Sequence, residues 1–146
     1  MDKNIALYLD DIRTPTDLPK GYSRWEVVRN FEEFKSFIEK YAEEYKELPP
    51  LISFDHDLHT EHYSNELKRG IGFPIFYSKY KNKTGKQCIE WLCDFVAKEN
   101  LPFNGLYVVH SENEMGNANM EWYLEEFIKI NKFKGIVFKN NWKHTK

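Results

Sequence analysis

The chain has 146 residues, of which 41% are hydrophobic, 16% aromatic and 30% charged, with a formal net charge of −2 at pH 7. That length suits one domain able to bury roughly two-thirds of its unfolded surface, and the apolar residues fall in short runs, which argues against two domains and against disorder. The near-neutral total carries no nucleic-acid signal, although basic residues gather at Lys68, Arg69, Lys79, Lys81, Lys83 and Lys86 and in the tail from Lys132 to Lys146.

Ile5-Ala6-Leu7-Tyr8-Leu9 is an apolar run too short for a signal peptide or a membrane span, and Asp10-Asp11 closes it. It reads as a strand buried on both faces, and a cytoplasmic location is expected. Ile12 to Ser23 contains Pro15, Pro19 and Gly21, which exclude a regular helix, and Trp25-Glu26-Val27-Val28 reads as a second strand. Asn30 is the expected N-cap of a helix, with Glu33 as its capping-box partner, and Phe31, Phe34, Phe37, Ile38 and Tyr41 trace one face down to about Tyr45. Pro49-Pro50 stops that helix, and Leu51-Ile52-Ser53-Phe54 runs into Asp55-His56-Asp57 in the same form as the first strand.

His59 to Lys83 is rich in aromatic and basic residues, with Gly70, Gly72 and Pro74, and reads as an inserted loop. Thr84 caps a predicted helix whose Cys88, Ile89, Leu92, Phe95 and Val96 face the core, ending near Asn100-Leu101-Pro102. The only two cysteines, Cys88 and Cys93, stand at i, i+5, a spacing that neither faces them together nor matches a zinc motif, so a reducing compartment is expected. Leu106-Tyr107-Val108-Val109 is a buried strand ending at His110-Ser111, Ala118 to Ile130 a helix, and Ile136-Val137-Phe138 a last strand ending at Lys139.

Five short apolar strands interleaved with helical segments predict an α/β fold: an open five-stranded parallel sheet with helices on both faces. Ligands of such sheets bind beyond the strand C-termini. Asp10, Asp11, Asp55, Asp57, His110, Ser111 and Lys139 fall there. A lone aspartate at a strand end usually caps a helix or a turn, but carboxylates recurring on two strands repel unless a cation sits between them or one takes a proton. Mg²⁺ or Mn²⁺ held by Asp10, Asp11, Asp55 and Asp57 is the natural resolution. A zinc or two-metal site through Asp55-His56-Asp57-Leu58-His59 ranks below it, because His56 points away from Asp55 and Asp57 if the strand continues.

His110 is either a satisfied core histidine or a general acid or base beside that cation. Ser111 to Met120 has the form of a polar loop entering a helix, so Ser111, Asn113, Gly116 and Asn117 are candidates to hold phosphate oxygens, with His56 beside them. Arg13 and Lys139 are the candidate cationic partners, their plain alternative being surface salt bridges.

An acidic pair after strand one, an aspartate after strand three, a small polar residue after strand four and a lysine after strand five resemble the receiver domain of two-component signalling, a flavodoxin-like fold. Asp10 and Asp11, Asp55, Ser111 or its neighbour His110, and Lys139 fill those places. More specifically, Leu9-Asp10-Asp11-Ile12-Arg13-Thr14-Pro15, Asp55-His56-Asp57-Leu58, Thr84-Gly85 and the run from His110 to Met120 resemble the divergent cyclic-phosphate-processing receiver domains of bacteria and phages, proposed to act in RNA repair or conflict. Against ordinary receivers, the Pro-rich segment Thr14 to Gly21 stands where a helix is expected, and His56 and His110 add imidazoles.

The leading expectation is a metal-dependent phosphoesterase or phosphate-binding enzyme acting on a 2′,3′-cyclic RNA end or a cyclic nucleotide. In it Asp10, Asp11 and Asp55 hold the cation, His110 protonates the departing ribose oxygen, and Lys139 and Arg13 neutralise developing charge. The alternatives are a phosphoacceptor module using Asp55, and a non-catalytic module that sequesters a nucleotide or binds a protein partner through the insert, where Phe73, Phe76, Tyr77 and Tyr80 are available to stack on bases.

Overall fold

The computed structural model describes residues 1–58, 83–140 and 142, together with the backbone of 144 and 145. The predicted insert lies outside the described residues, Lys83 apart. In chain order the elements are β1 (Ile5–Leu9), β2 (Thr14–Pro15), β3 (Arg24–Val28), α1 (Phe31–Tyr45), β4 (Leu51–Phe54), α2 (Gly85–Glu99), β5 (Leu106–Val109), α3 (Glu114–Asn131), β6 (Ile136–Lys139) and β7 (His144–Thr145).

Five of the strands form one parallel sheet in the order β3-β1-β4-β5-β6. The steps from β3 to β4, β4 to β5 and β5 to β6 all run the same way across it. Right-handed crossovers therefore put α1, α2 and α3 on one face. Leu7, Leu9, Ile52, Phe54, Tyr107 and Val109 meet Phe34, Ile38, Ile89, Leu92, Met120 and Leu124 there in one buried cluster. The step from β1 to β3 runs backwards, toward the other face, and the chain makes it without a helix. Of the two helical layers the sequence predicts, the described helices supply one.

Strand pleating sends Tyr8, Ser53 and Val108 to the opposite face, and all three are buried. Trp142 of the C-terminal tail lies against that face, its indole N–H donating to Ser53 Oγ at 2.7 Å and its ring meeting Trp25 edge-on with centroids 5.2 Å apart. Beyond it β7 pairs antiparallel with β2, Thr14 opposite Thr145 and Pro15 opposite His144. Two-residue strands leave no periodic trace, and the sequence gives no hint of this pairing.

The helix starts follow from their caps. Asn30 accepts from the Glu33 N–H as expected, but the Glu33 carboxylate takes the Arg29 N–H at 2.9 Å instead of closing the box on Asn30. Thr84 and Gln87 form a full capping box at α2. The third helix begins at Glu114, a turn before the expected Ala118, because the Asn113 side chain accepts the Gly116 N–H at 2.8 Å. Gly116 and Asn117, expected in a loop, are thus helical.

Candidate cation and phosphate site

Sheet hydrogen bonding runs one residue past the strand ends. The Asp10 N–H donates to Val28 O at 3.1 Å, Asp55 N–H to Leu9 O at 2.9 Å and His110 N–H to Phe54 O at 3.0 Å. Leu9, Phe54 and Val109 face the helices, so the next residue of each strand faces the other way. Asp10, Asp55 and His110 therefore stand in a row across β1, β4 and β5. One carboxylate oxygen from each aspartate and one imidazole nitrogen lie within 4.8 Å of one another. The row lies where β1 leads back to β3 and β4 leads on to β5, the switch point at which open α/β sheets gather ligands.

The two aspartates differ in how they are satisfied. Asp10 Oδ1 accepts from the Ile12 and Arg13 backbone N–H groups at 3.1 and 2.9 Å, and Oδ2 faces Arg13 Nε at 2.8 Å and His110 Nε2 at 3.2 Å. Burial alone would raise its pKa, but the hydrogen bonds from His110 and those two backbone groups, with the Arg13 charge, hold the carboxyl down at about 2. Asp55 Oδ1 takes the His56 N–H at 2.9 Å and lies 3.4 Å from Arg13 Nη2. Its Oδ2 is buried and receives no hydrogen bond from any described residue. Burial first, then the Asp10 charge, raise the Asp55 carboxyl well above the usual range, outweighing the lowering effects of Arg13 and of the Ser111 side chain.

Arg13 is nine-tenths buried and bridges the two carboxylates, with Nη1 3.7 Å from Glu112. Its loop is held by Arg29, whose guanidinium donates to Asp10 O at 3.2 Å, Arg13 O at 2.7 Å and Thr14 Oγ1 at 2.8 Å. Sequence reasoning passes over Arg29, since a lone arginine after a strand carries no motif. His110 stacks on Tyr8 with ring centroids 4.2 Å apart, and its Nδ1 lies 2.7 Å from Ser53 Oγ. Ser53 is missed too, although a hydroxyl in the otherwise apolar run Leu51–Phe54 is a signal.

The other predicted residues form a second cluster at the start of α3. His56 Nδ1 lies 2.8 Å from Asp57 Oδ1, and Asn113 Nδ2 donates to the Asp57 carboxylate at 3.2 Å. Asn117 grips Ser111 from both sides: its Oδ1 accepts the Ser111 N–H at 3.1 Å and its Nδ2 donates to Ser111 O at 2.6 Å. Ser111 Oγ accepts the Asn113 N–H at 3.0 Å. Gly116 lets α3 approach the imidazole, since a Cβ there would lie 2.4 Å from His56 Cγ. At Gly85 a Cβ would lie 1.8 Å from Asp55 O, so α2 starts hard against the backbone that carries the carboxylate.

Two predicted residues stand apart. Asp11 is half-buried and lies outside the Asp10, Asp55 and His110 group, as does the fully buried Asp57. Lys139 pairs in register with Val109, which leaves it one residue out of phase with the row, and it is exposed with no ion pair among the described residues. Arg13 supplies the positive charge beside the carboxylates instead.

The donor set suits a hard cation, because two carboxylates converge and one buried oxygen, Asp55 Oδ2, lacks a partner. Asp10 already accepts four hydrogen bonds or ionic contacts, so a cation reaching it displaces one of them.

A buried carboxylate pair at the switch point of a five-stranded parallel sheet, with a histidine on the next strand, defines a receiver-like α/β domain with an acidic cluster able to hold a cation. The family model described as the cyclic-phosphate processing receiver domain matches residues 5–126, and the chain belongs to that family. No curated protein and no solved structure matches it. No helix among the described residues is long and apolar enough to cross a membrane.

Proposed function

We propose that this domain hydrolyses a cyclic phosphate, a 2′,3′-cyclic RNA end or a cyclic nucleotide, using Mg²⁺ or Mn²⁺ held by Asp10 and Asp55. The observation that carries the reading is the buried Asp55 Oδ2, left without a hydrogen-bond partner on a carboxylate that groups with Asp10 and His110. A buried unsatisfied oxygen costs about 1–3 kcal/mol, a cost that ligand binding removes.

The chemistry a bound cation supplies is polarisation of the phosphoryl group and a bound water of lowered pKa. Arg13, already between the carboxylates, neutralises charge that develops on the phosphoryl oxygens. His110 offers an N–H to the departing ribose oxygen. The water oxygen bonds to phosphorus as the P–O bond to ribose breaks, and the ribose oxygen ends protonated from solvent. In this reading the second cluster, whose His56, Ser111, Asn113, Gly116 and Asn117 are buried, fixes the loop between β5 and α3 against which the substrate is held. In a cytoplasmic bacterial or phage setting this activity belongs to RNA repair or conflict. A phosphoacceptor role for Asp55 has less support, because Lys139 lies out of phase with it.

The test is hydrolysis of 2′,3′-cyclic mononucleotides, a 2′,3′-cyclic-ended RNA and cyclic dinucleotides, with Mg²⁺ or Mn²⁺ and with chelator. Metal-dependent opening of one class, lost in Asp55→Asn, is expected. Full activity in Asp55→Asn, or no turnover of any member, overturns the proposal.

A further inference from the structure

We propose that Arg13 is the resident counter-ion of the Asp10 and Asp55 carboxylates and yields its place to a divalent cation by turning its guanidinium out to Glu112. The inference rests on the function proposed above only in taking the cation to those two carboxylates, and it says which contact gives way there.

Arg13 holds the two carboxylates as a cation would. Its Nε lies 2.8 Å from Asp10 Oδ2 and its Nη2 3.4 Å from Asp55 Oδ1, on a side chain that is nine-tenths buried. An arginine keeps its charge at any ordinary pH. A second cation at the same carboxylates therefore meets a like charge in a place that water and salt screen poorly. The two cannot both keep their best contacts.

Of the contacts on Asp10, that of the Arg13 guanidinium is the one able to give way. Oδ1 accepts from the Ile12 and Arg13 backbone N–H groups, and their loop is pinned by Arg29, which donates to Asp10 O, Arg13 O and Thr14 Oγ1. His110, the other neighbour of Oδ2, is packed in place: its ring is buried, stacks on Tyr8 at 4.2 Å and has Ser53 Oγ 2.7 Å from its Nδ1. The guanidinium has a third carboxylate in reach instead, since Glu112 Oε1 lies 3.7 Å from Nη1. The Glu112 side chain is 83% exposed, on the loop between β5 and α3.

The charges then balance. A divalent cation and a guanidinium together face three carboxylates, Asp10, Asp55 and Glu112, in place of two. Turned toward the exposed Glu112, the guanidinium stands on the solvent side of the site, where it meets the phosphoryl oxygens of a substrate with the paired N–H groups that suit them. Glu112 is thus a positioning residue, acting on the cation through Arg13.

The experiment is Mn²⁺ titration of the full chain, read from the free-ion signal in electron paramagnetic resonance, on the unmodified protein, Arg13→Gln, Glu112→Gln and the double variant. Arg13→Gln should bind at least about tenfold tighter, because a like charge has left a poorly screened place. Glu112→Gln should bind about threefold weaker, the scale of one exposed charge. That loss should vanish in the Arg13→Gln background, where there is no guanidinium left to receive. Equal or weaker binding by a natively folded Arg13→Gln overturns the proposal, and so does a Glu112→Gln loss that persists in full in the double variant. Should Arg13→Gln not fold, solvent exchange of the Arg13 Nε–H in the unmodified chain decides: it should speed up once Mg²⁺ is bound, and unchanged or slower exchange contradicts the proposal. Binding by Arg13→Gln alone would sink the metal-dependent hydrolysis and leave this inference standing, whereas equal binding with and without Arg13 does the reverse. Binding by no variant overturns both.

Discussion

The two polar clusters at the strand ends are built from similar residues and end in opposite states. Around the start of α3, Ser111, Asn113, Asn117 and the His56–Asp57 pair satisfy one another, each amide or carboxylate engaged by a neighbour. Across β1, β4 and β5, Asp10 is saturated while Asp55 keeps a buried oxygen without a partner and a carboxyl pushed up by burial and by the Asp10 charge. A network whose members satisfy each other fixes a shape, whereas a deficit maintained in a buried place is where a ligand gains most. In the function proposed above, the cluster at the start of α3 builds the site and the row across β1, β4 and β5 reacts.

The sharpest way to break that contrast is to remove one member of each and follow turnover. Asp55→Asn should lower cation-dependent hydrolysis by more than about 100-fold, the scale on which losing a charge-stabilising group at a reacting centre is felt. Asn113→Ala should cost far less turnover, and equal losses in steady-state assays would erase the distinction.

The close approaches beneath the clusters come next. Gly85→Ala places a Cβ 1.8 Å from the Asp55 carbonyl oxygen, and Gly116→Ala places one 2.4 Å from the His56 ring. Urea denaturation should show about 3 kcal/mol or more lost at Gly85, where backbone must shift, and about 1–3 kcal/mol at Gly116, where a side chain can give.

Within the reacting cluster the two aspartates should affect stability with opposite signs. The Asp10 carboxyl, at about 2 in the fold against 3.8 when unperturbed, contributes stability that is present above pH 3.8 and lost as the pH falls through 2. Removing it as Asp10→Asn should cost on the order of 2 kcal/mol at neutral pH. The Asp55 carboxyl, raised in the fold, contributes stability that is complete below pH 3.8 and lost as the pH rises through its folded value. Metal-free Asp55→Asn should therefore melt higher than the unmodified chain at pH 7, and a lower melting temperature would contradict the account. The smallest effects belong to the exposed and satisfied positions. Loss of the α3 cap in Asn113→Ala should cost about 1 kcal/mol, and Lys139→Ala within about 0.5 kcal/mol.

Much of this was legible in the sequence because the strands are short apolar runs that each end in a charged or polar residue. Ile5–Leu9, Leu51–Phe54 and Leu106–Val109 mark themselves, and so do Asp10, Asp55 and His110 directly after them. Phase was harder to read. Lys139 looks equivalent to the other strand-end residues, but its register with Val109 turns it out of the row. The start of α3 was obscured by Gly116, whose place in a helix is justified only by the His56 ring beside it. Least visible was the contact of Trp142 with Ser53, 89 residues apart in sequence and joined by no motif. Arg13 was legible as a cation, though its bridging of two carboxylates on different strands required the sheet order.

The most direct test of a cation held by the Asp10 and Asp55 row is titration of the metal-free chain with Mn²⁺ followed by electron paramagnetic resonance, run in parallel on Asp55→Asn and Asn113→Ala. The account predicts saturable loss of the free-ion signal in the unmodified chain and in Asn113→Ala, and its absence in Asp55→Asn. Equal binding by Asp55→Asn, or none by the unmodified chain, would contradict it.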